Sequence, residues 1–357
     1  KMRMKTYDFE KIMVIQTAFL GDLILTTPLI RELSILFPEA AIDVLTIPGT
    51  QIVLKYNPYI NRSLVFNKKG MRNKIKSFRQ LVDQFRETNY EIAISAQSSL
   101  TSALLMRQAG IPMRIGFDFQ KFITTRVPYE QHLHTRERYL KLLSPFSENQ
   151  FDSHTEIFWS DVEEEKASQL FNVIAAQHRF TIGIAPGSVW FTKMWLPEYY
   201  VGLIRRLAWN DVGIVLVGGK AERELCNHIA QQAGVKVYNM AGILNILEST
   251  ALIKKLHLLV TNDSAPLHIA NAVQTDVLAI FGPTVKEFGF YPYRKNDRLL
   301  EVNLDCRPCG KHGGRYCPRG HFQCMRLITP KYVHQIATAI LDARPDTYID
   351  KWIYEMV

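Results

Sequence analysis

Thr261-Asn262-Asp263-Ser264-Ala265-Pro266-Leu267-His268 places an amide, a carboxylate, hydroxyls and an imidazole between two apolar stretches. The stretch before it (258–261) predicts a strand, and the one that begins within it (265–272) predicts a helix with proline close to its start. Backbone N–H groups at such a helix start can face an anion, and the helix dipole favours negative charge there. Read singly, Asp263 or Ser264 caps the helix and His268 is a core histidine. A second polar run follows residues 181–185: Pro186-Gly187-Ser188, then Lys193. Small residues let a backbone approach a phosphate closely, and lysine adds a compact positive charge; the alternative is an ordinary loop with a surface lysine. The third candidate is Gly21-Asp22, after a β-branched run at 11–17 and before an amphipathic stretch that ends at Phe37. Asp22 is either the N-cap of that helix or a base for proton transfer.

These residues need elements to hold them. In the first half, strands are expected at 11–17, 41–46, 63–66, 91–95 and 113–116, with helices at 71–86 and 100–109. The alternation pauses through 117–177. It restarts with strands at 181–185, 213–218, 236–239, 258–261 and 277–281, and helices at 197–207, 221–233, 246–255 and 265–272. Short apolar runs alternating with helical periodicity indicate parallel sheets covered on both faces. With 357 residues the chain suits two domains. The expected division is 8–165, 178–329 and a helical tail at 330–357 that packs back across the domains. Two Rossmann-like domains facing each other leave a cleft lined by the C-terminal ends of their strands, where ligands gather.

Composition narrows the class. Hydrophobic residues make up 47% and charged residues 22%, the balance of a globular protein, and no apolar run reaches the ~20 residues of a membrane span. Residues 1–10 are polar and basic with no apolar core, so a secretory signal is not expected and the cytoplasm is the default location. The net charge is +9, and it is uneven. Arg62, Lys68, Lys69, Arg72, Lys74, Lys76 and Arg79 fall in one stretch without an acid. That stretch is a solvated helix face, or it meets an anionic substrate, a membrane surface or nucleic acid. Nucleic acid is the weakest reading: the stretch lacks interleaved aromatics, and no helix-turn-helix or finger pattern is present.

Cys306, Cys309, Cys317 and Cys324 form C-x2-C-x7-C-x6-C, with His312 and His321 inside the stretch and Cys226 apart. The first pair has the spacing of a structural zinc site; the alternative is a compact loop of reduced thiols. Absent patterns also inform. There is no GxGxxG after the first strand, no Walker A loop and no well-placed Asp-x-Asp for a divalent cation on a diphosphate.

Four segments in order carry a resemblance: residues 19–28 (FLGDLILTTP), Ala185-Pro186-Gly187-Ser188 with Lys193-Met194-Trp195, the run 261–268, and Phe281-Gly282-Pro283-Thr284. Together they are similar to the bacterial lipopolysaccharide heptosyltransferases of glycosyltransferase family 9, over nearly the whole chain. The segment ending Cys324-Met325 resembles the heptosyltransferase II branch more than the I branch. His134 and Arg138-Tyr139-Leu140 fall where that family has a similar segment.

The resemblance implies the GT-B fold, two Rossmann-like doubly wound domains across a cleft. It also implies an inverting, metal-independent transfer of heptose from ADP-heptose to the lipopolysaccharide inner core, heptosyl-Kdo-lipid A, with no cofactor. Asp22 is then the general base. Ser188 and Lys193 meet the donor diphosphate, Asp263 binds the heptose, and Ser264, Ala265 and His268 lie beside the diphosphate. Glu222 lies near the ribose, and Leu244, in the 242–245 loop, lies near adenine. Gly21, Thr26, Arg62, Lys68, Lys69 and Arg72 are expected on the acceptor side. Ala265 stands where the family usually has glycine. The implied setting is a monomer at the cytoplasmic face of the inner membrane, in peripheral contact with it. A different sugar transferase or an epimerase of the same fold is the alternative, and a nucleic-acid-binding protein the distant one.

Overall fold

A computed structural model describes residues 7–343, so residues 344–357 of the expected tail lie outside the described residues. The chain divides into two compact units, residues 1–163 with 286–291, and residues 164–285 with 292–357.

The first unit holds β1 (Lys11–Ile15), α1 (Leu20–Leu25), α2 (Thr27–Leu36), β2 (Ala41–Thr46), β3 (Arg62–Val65), α3 (Met71–Thr88), β4 (Ile92–Ser95), α4 (Leu100–Gln108), β5 (Met113–Phe117), β6 (Thr125–Val127) and α5 (Thr135–Lys141). Its six strands are all parallel, in the order β3-β2-β1-β4-β5-β6. β1 and β4 are buried on both faces, which is why they read as unbroken apolar runs.

α6 (Asp161–Ala175) carries the chain from the first unit into the second. The second unit continues with β7 (Phe180–Ala185), α7 (Pro197–Leu207), β8 (Val212–Leu216), α8 (Arg223–Ala233), β9 (Tyr238–Asn239), α9 (Ile246–Lys255), β10 (Leu258–Asn262), α10 (Ala265–Ala272), β11 (Asp276–Ile280), β12 (Arg298–Leu300), α11 (Gln323–Arg326) and α12 (Pro330–Asp342). The order β12-β11-β10-β7-β8-β9 is the same topology as in the first unit, again all parallel. β8, β10 and β11 are buried at every position. Prolines open α7, α10 and α12, where a missing N–H costs nothing. α9 starts on a capping box: Glu248 N–H donates to Asn245 Oδ1 at 3.0 Å and Asn245 N–H to Glu248 Oε2 at 2.7 Å. α12 packs on α7.

The pause expected over 117–177 is corrected, because it contains β6, α5 and α6. Residues 286–291 return to the first unit, a detour the contiguous 178–329 range does not contain. There Thr135 N–H donates to Gly289 O at 2.9 Å, and Gly289 must be glycine. Its φ is +84°, and a Cβ would stand 1.9 Å from the Arg138 guanidinium. Among the described residues no helix is long and apolar enough to cross a membrane.

Candidate active site

Doubly wound sheets bind ligands beyond the strands' C-terminal ends where the strand order reverses. In the second unit that point lies between β7 and β10. Asn262, fully buried at the end of β10, ties it together. Its Oδ1 accepts from Trp195 N–H and the Tyr200 hydroxyl, both at 3.0 Å, and its Nδ2 donates to Pro186 O at 2.9 Å. The turn after β7 is thereby fixed to β10.

Next in the chain, Asp263 is buried and holds two donors on Oδ2: Lys193 Nζ at 2.5 Å and the Thr284 hydroxyl at 2.6 Å. The side chains of Lys193 and Asp263 are 13% and 9% exposed, so the pair is shielded from water. Lys193 is therefore not the surface lysine of the ordinary-loop reading, because it is shielded and has a carboxylate partner.

Ser264 occupies the N-cap of α10 without a side-chain capping bond; its hydroxyl lies 3.4 Å from Thr261 Oγ1. Ala265 takes the first helical position and is absent from the residues of positive φ, so its methyl group imposes no backbone strain. Ser188 Oγ accepts from Trp190 N–H at 3.3 Å, tightening the turn. Glu222 follows β8 and takes Gly219 N–H on Oε2 at 2.8 Å. It is packed so closely that a Cβ on Gly187 would lie 2.2 Å from its Cγ. Leu244 is buried, beside the Asn245 cap. Ser188, Lys193, Glu222, Leu244, Asp263 and Ser264 thus lie between a strand of this sheet and the helix that follows it, and Ala265 and His268 lie in α10.

His268 is buried one turn into α10. Burial pushes its imidazole down to about 4, against the raising influence of Asp263 and helped by the lowering influence of Lys193. It is neutral at neutral pH and adds no charge for a diphosphate. Between pH 4 and 6.5 the unfolded chain binds more protons at this residue than the folded one, so stability falls as pH drops through that window and is complete above it. We expect the urea midpoint to fall between pH 7 and 4.5, with a contribution of up to about 3 kcal/mol from this group. His268→Gln should remove most of that slope; an unchanged slope would contradict the assignment.

In the first unit the order reverses between β1 and β4. Asp22 is the third residue of α1, and the N-cap is Phe19, so the capping reading of Asp22 is corrected. Its Oδ1 accepts from the Tyr139 hydroxyl at 3.3 Å. Tyr139 is buried, and burial first, then the charge of Asp22, push its phenol well above the usual range.

The acceptor-side expectations divide. Gly21 is buried in α1. Thr26 is fully buried, with its hydroxyl donating to Asp22 O at 2.8 Å and accepting from Gln16 Nε2 at 3.1 Å, so it braces Asp22 rather than facing a ligand. Lys68 comes to the switch point: its Nζ donates to Thr17 O at 3.0 Å and Thr17 Oγ1 at 2.8 Å. Burial first and neighbouring Lys74 second lower its pKa. Arg62 is misplaced by the sequence reading. It opens β3, at the opposite end of the sheet from Asp22, and pairs with Asp43 at 2.6 Å. Lys69 and Arg72 are exposed.

Several site residues were not singled out from sequence. Thr17 donates its hydroxyl to Gln97 Oε1 at 2.6 Å, bridging the loops after β1 and β4. Tyr139, Asn262 and Thr284 stood inside noted segments but drew no role, because a role for each depends on a partner far away in sequence. The cysteines are free thiols. Cys306 Sγ lies 3.9 Å from His321 Nε2, and burial with neighbouring thiols pushes Cys324 up to about 11. Zinc needs ligands gathered at ~2.0–2.3 Å from one point, and among the described residues no three His, Cys, Asp or Glu side chains are so gathered.

Comparison with known proteins agrees with this geometry. The family model described as glycosyltransferase family 9 (heptosyltransferase) matches residues 78–318, more than half the chain. Lipopolysaccharide heptosyltransferase 3 of Escherichia coli (strain K12) is 29% identical, covering 77% of this chain and 83% of its own. Lipopolysaccharide heptosyltransferase 2 of the same organism is 28% identical over 93% and 98%. The solved structure of E. coli ADP-heptose lps heptosyltransferase II shares the fold, with a TM-score of 0.74 at 24% identity, over 93% of this chain and 98% of that one.

Proposed function

The chain belongs to glycosyltransferase family 9, the heptosyltransferases, with the GT-B fold, and we propose that it transfers heptose from ADP-heptose to the lipopolysaccharide inner core by an inverting, metal-independent displacement. The observation that carries this reading is the shielded Lys193–Asp263–Thr284 cluster beside the start of α10. A diphosphate leaving group gathers negative charge as the sugar departs, and an ammonium group with a helix N-terminus stabilises that charge.

Asp22 receives the proton of the acceptor hydroxyl as that oxygen attacks the anomeric carbon, opposite the departing ADP. Tyr139 holds its carboxylate and Thr26 its backbone. Asp263 orients the heptose, Glu222 and Leu244 serve the nucleoside, and Ser188, Ser264, Ala265 and His268 line the diphosphate. Lys68, drawn in by Thr17, meets the acidic acceptor.

The acceptor is heptosyl-Kdo-lipid A, as for a type II enzyme. Relatives of types 2 and 3 are nearly equally similar, so acceptor choice is decided by assay. ADP release with ADP-heptose should be fast on the mono-heptosylated core and slow on the unheptosylated one. The reverse order would refute type II.

We further place the protein, as a monomer, at the cytoplasmic face of the inner membrane in peripheral contact with it. The exposed side of α3 supports this, with Met71 and Ile75 among Arg72, Lys76 and Arg79. Basic residues near an anionic surface contribute about 1 kcal/mol each. Replacing Lys69, Arg72 and Lys76 by glutamine should lower the rate on vesicle-embedded acceptor by about tenfold or more and leave a short soluble acceptor nearly unaffected. Equal loss on both would end this reading.

A further inference from the structure

The cysteine-rich segment 306–324 has no part in the chemistry above, yet it touches both halves of the donor cluster. On one side it holds three consecutive carbonyls of the loop after β11. The Arg307 guanidinium, 5% exposed, donates to Gly282 O and to Thr284 O (2.7 Å), and Cys309 N–H donates to Pro283 O at 3.0 Å. The same guanidinium also reaches Val302 O and Glu301 Oε2 (2.9 Å), so all its nitrogens are anchored. Thr284, so held, donates its hydroxyl to Asp263.

On the other side the segment pairs reciprocally with the residue before Lys193. Thr192 N–H donates to Gly314 O at 3.0 Å, and Gly314 N–H donates to Thr192 Oγ1 at 2.7 Å. Gly313 permits this approach, since a Cβ there would stand 2.5 Å from Trp190 Cβ and 3.0 Å from Lys193 Cγ. The ring closes at the Lys193–Asp263 ion pair.

We propose that this segment is the positioning wall of the donor site, with Arg307 and Thr192 as the residues through which it sets the Lys193–Asp263 pair. The proposal rests on the donor reading given above. Neither residue touches the reacting atoms. Each acts by fixing one partner of a pair whose geometry a single loop controls. A guanidinium fork spread over four acceptors cannot be replaced by an ammonium group, and the half-buried Gly314 N–H, stripped of its Thr192 acceptor, loses one of the two bonds that hold its loop there.

The test uses the full-length protein with Arg307→Lys, Thr192→Val and Lys193→Ala, singly and with each of the first two combined with the third. ADP affinity is measured by calorimetry, and KM for donor and acceptor is measured separately. Arg307→Lys and Thr192→Val should each weaken ADP binding and raise donor KM about tenfold, the size of one or two lost hydrogen bonds. Acceptor KM should stay within about twofold, because only donor contacts are disturbed. On the Lys193→Ala background both effects should largely vanish, since the group they position is gone. Additive losses, or donor and acceptor KM rising together, would overturn the proposal. If Arg307→Lys does not fold, Thr192→Val, which keeps the side chain's shape, decides alone. Unchanged ADP affinity in Lys193→Ala would instead remove the donor reading, and this proposal with it.

Discussion

Replacing Asp22 by alanine should reduce kcat by about a thousandfold, the middle of the range for a positioned general base. The loss should appear equally in kcat and kcat/KM, because the proton moves only in the transition state. ADP affinity should be unchanged, since every residue proposed to bind the donor belongs to the second unit. Folding should suffer little: Asp22 is half-buried, and its Oδ1 accepts from the Tyr139 hydroxyl at a long 3.3 Å. Steady-state kinetics beside an ADP titration check both halves of the expectation. Near-normal kcat would remove Asp22 from the chemistry.

Lys193→Ala should have the second-largest effect, and of a different kind. The substitution removes the charge proposed to meet the diphosphate, and it also takes the ammonium partner from a buried carboxylate that still accepts from Thr284. Losing one electrostatic donor of a leaving group costs about 10²–10³ in rate, and breaking a buried pair from one side costs about 3 kcal/mol of stability. ADP affinity, kcat/KM and urea midpoint should therefore all fall together. Asp263→Asn on the same background should restore part of the stability and none of the rate, because the stranded charge is then gone. Full stability in Lys193→Ala alone would show that the pair is not shielded as described.

Much of this was legible in the sequence, for identifiable physical reasons. Strands buried on both faces, such as β8 and β10, leave continuous apolar runs. Edge strands do not. β6 and β12 have three residues each, pair on one side only, and carry an exposed arginine, so periodicity had nothing to register. The polar runs after β7 and β10 marked the candidate donor site because strand ends are where this topology exposes backbone. What they could not show is pairing across distance. Lys193 and Asp263 are 70 residues apart, and Tyr139 and Asp22 are 117 apart. Arg62 and Lys68 illustrate the converse. Close in sequence, they share one basic stretch, but β3 runs between them and carries them to opposite ends of the sheet.

On the proposed function, ADP is released only when a core acceptor takes the heptose. The most direct measurement incubates the purified protein with ADP-heptose and mono-heptosylated core, following ADP by a coupled assay and the glycan by mass spectrometry. One ADP should form for each heptose added to the glycan, and no ADP should form when the acceptor is left out. Conversion of ADP-heptose at the same rate without acceptor, or ADP release with no heptose gained by the glycan, would contradict it.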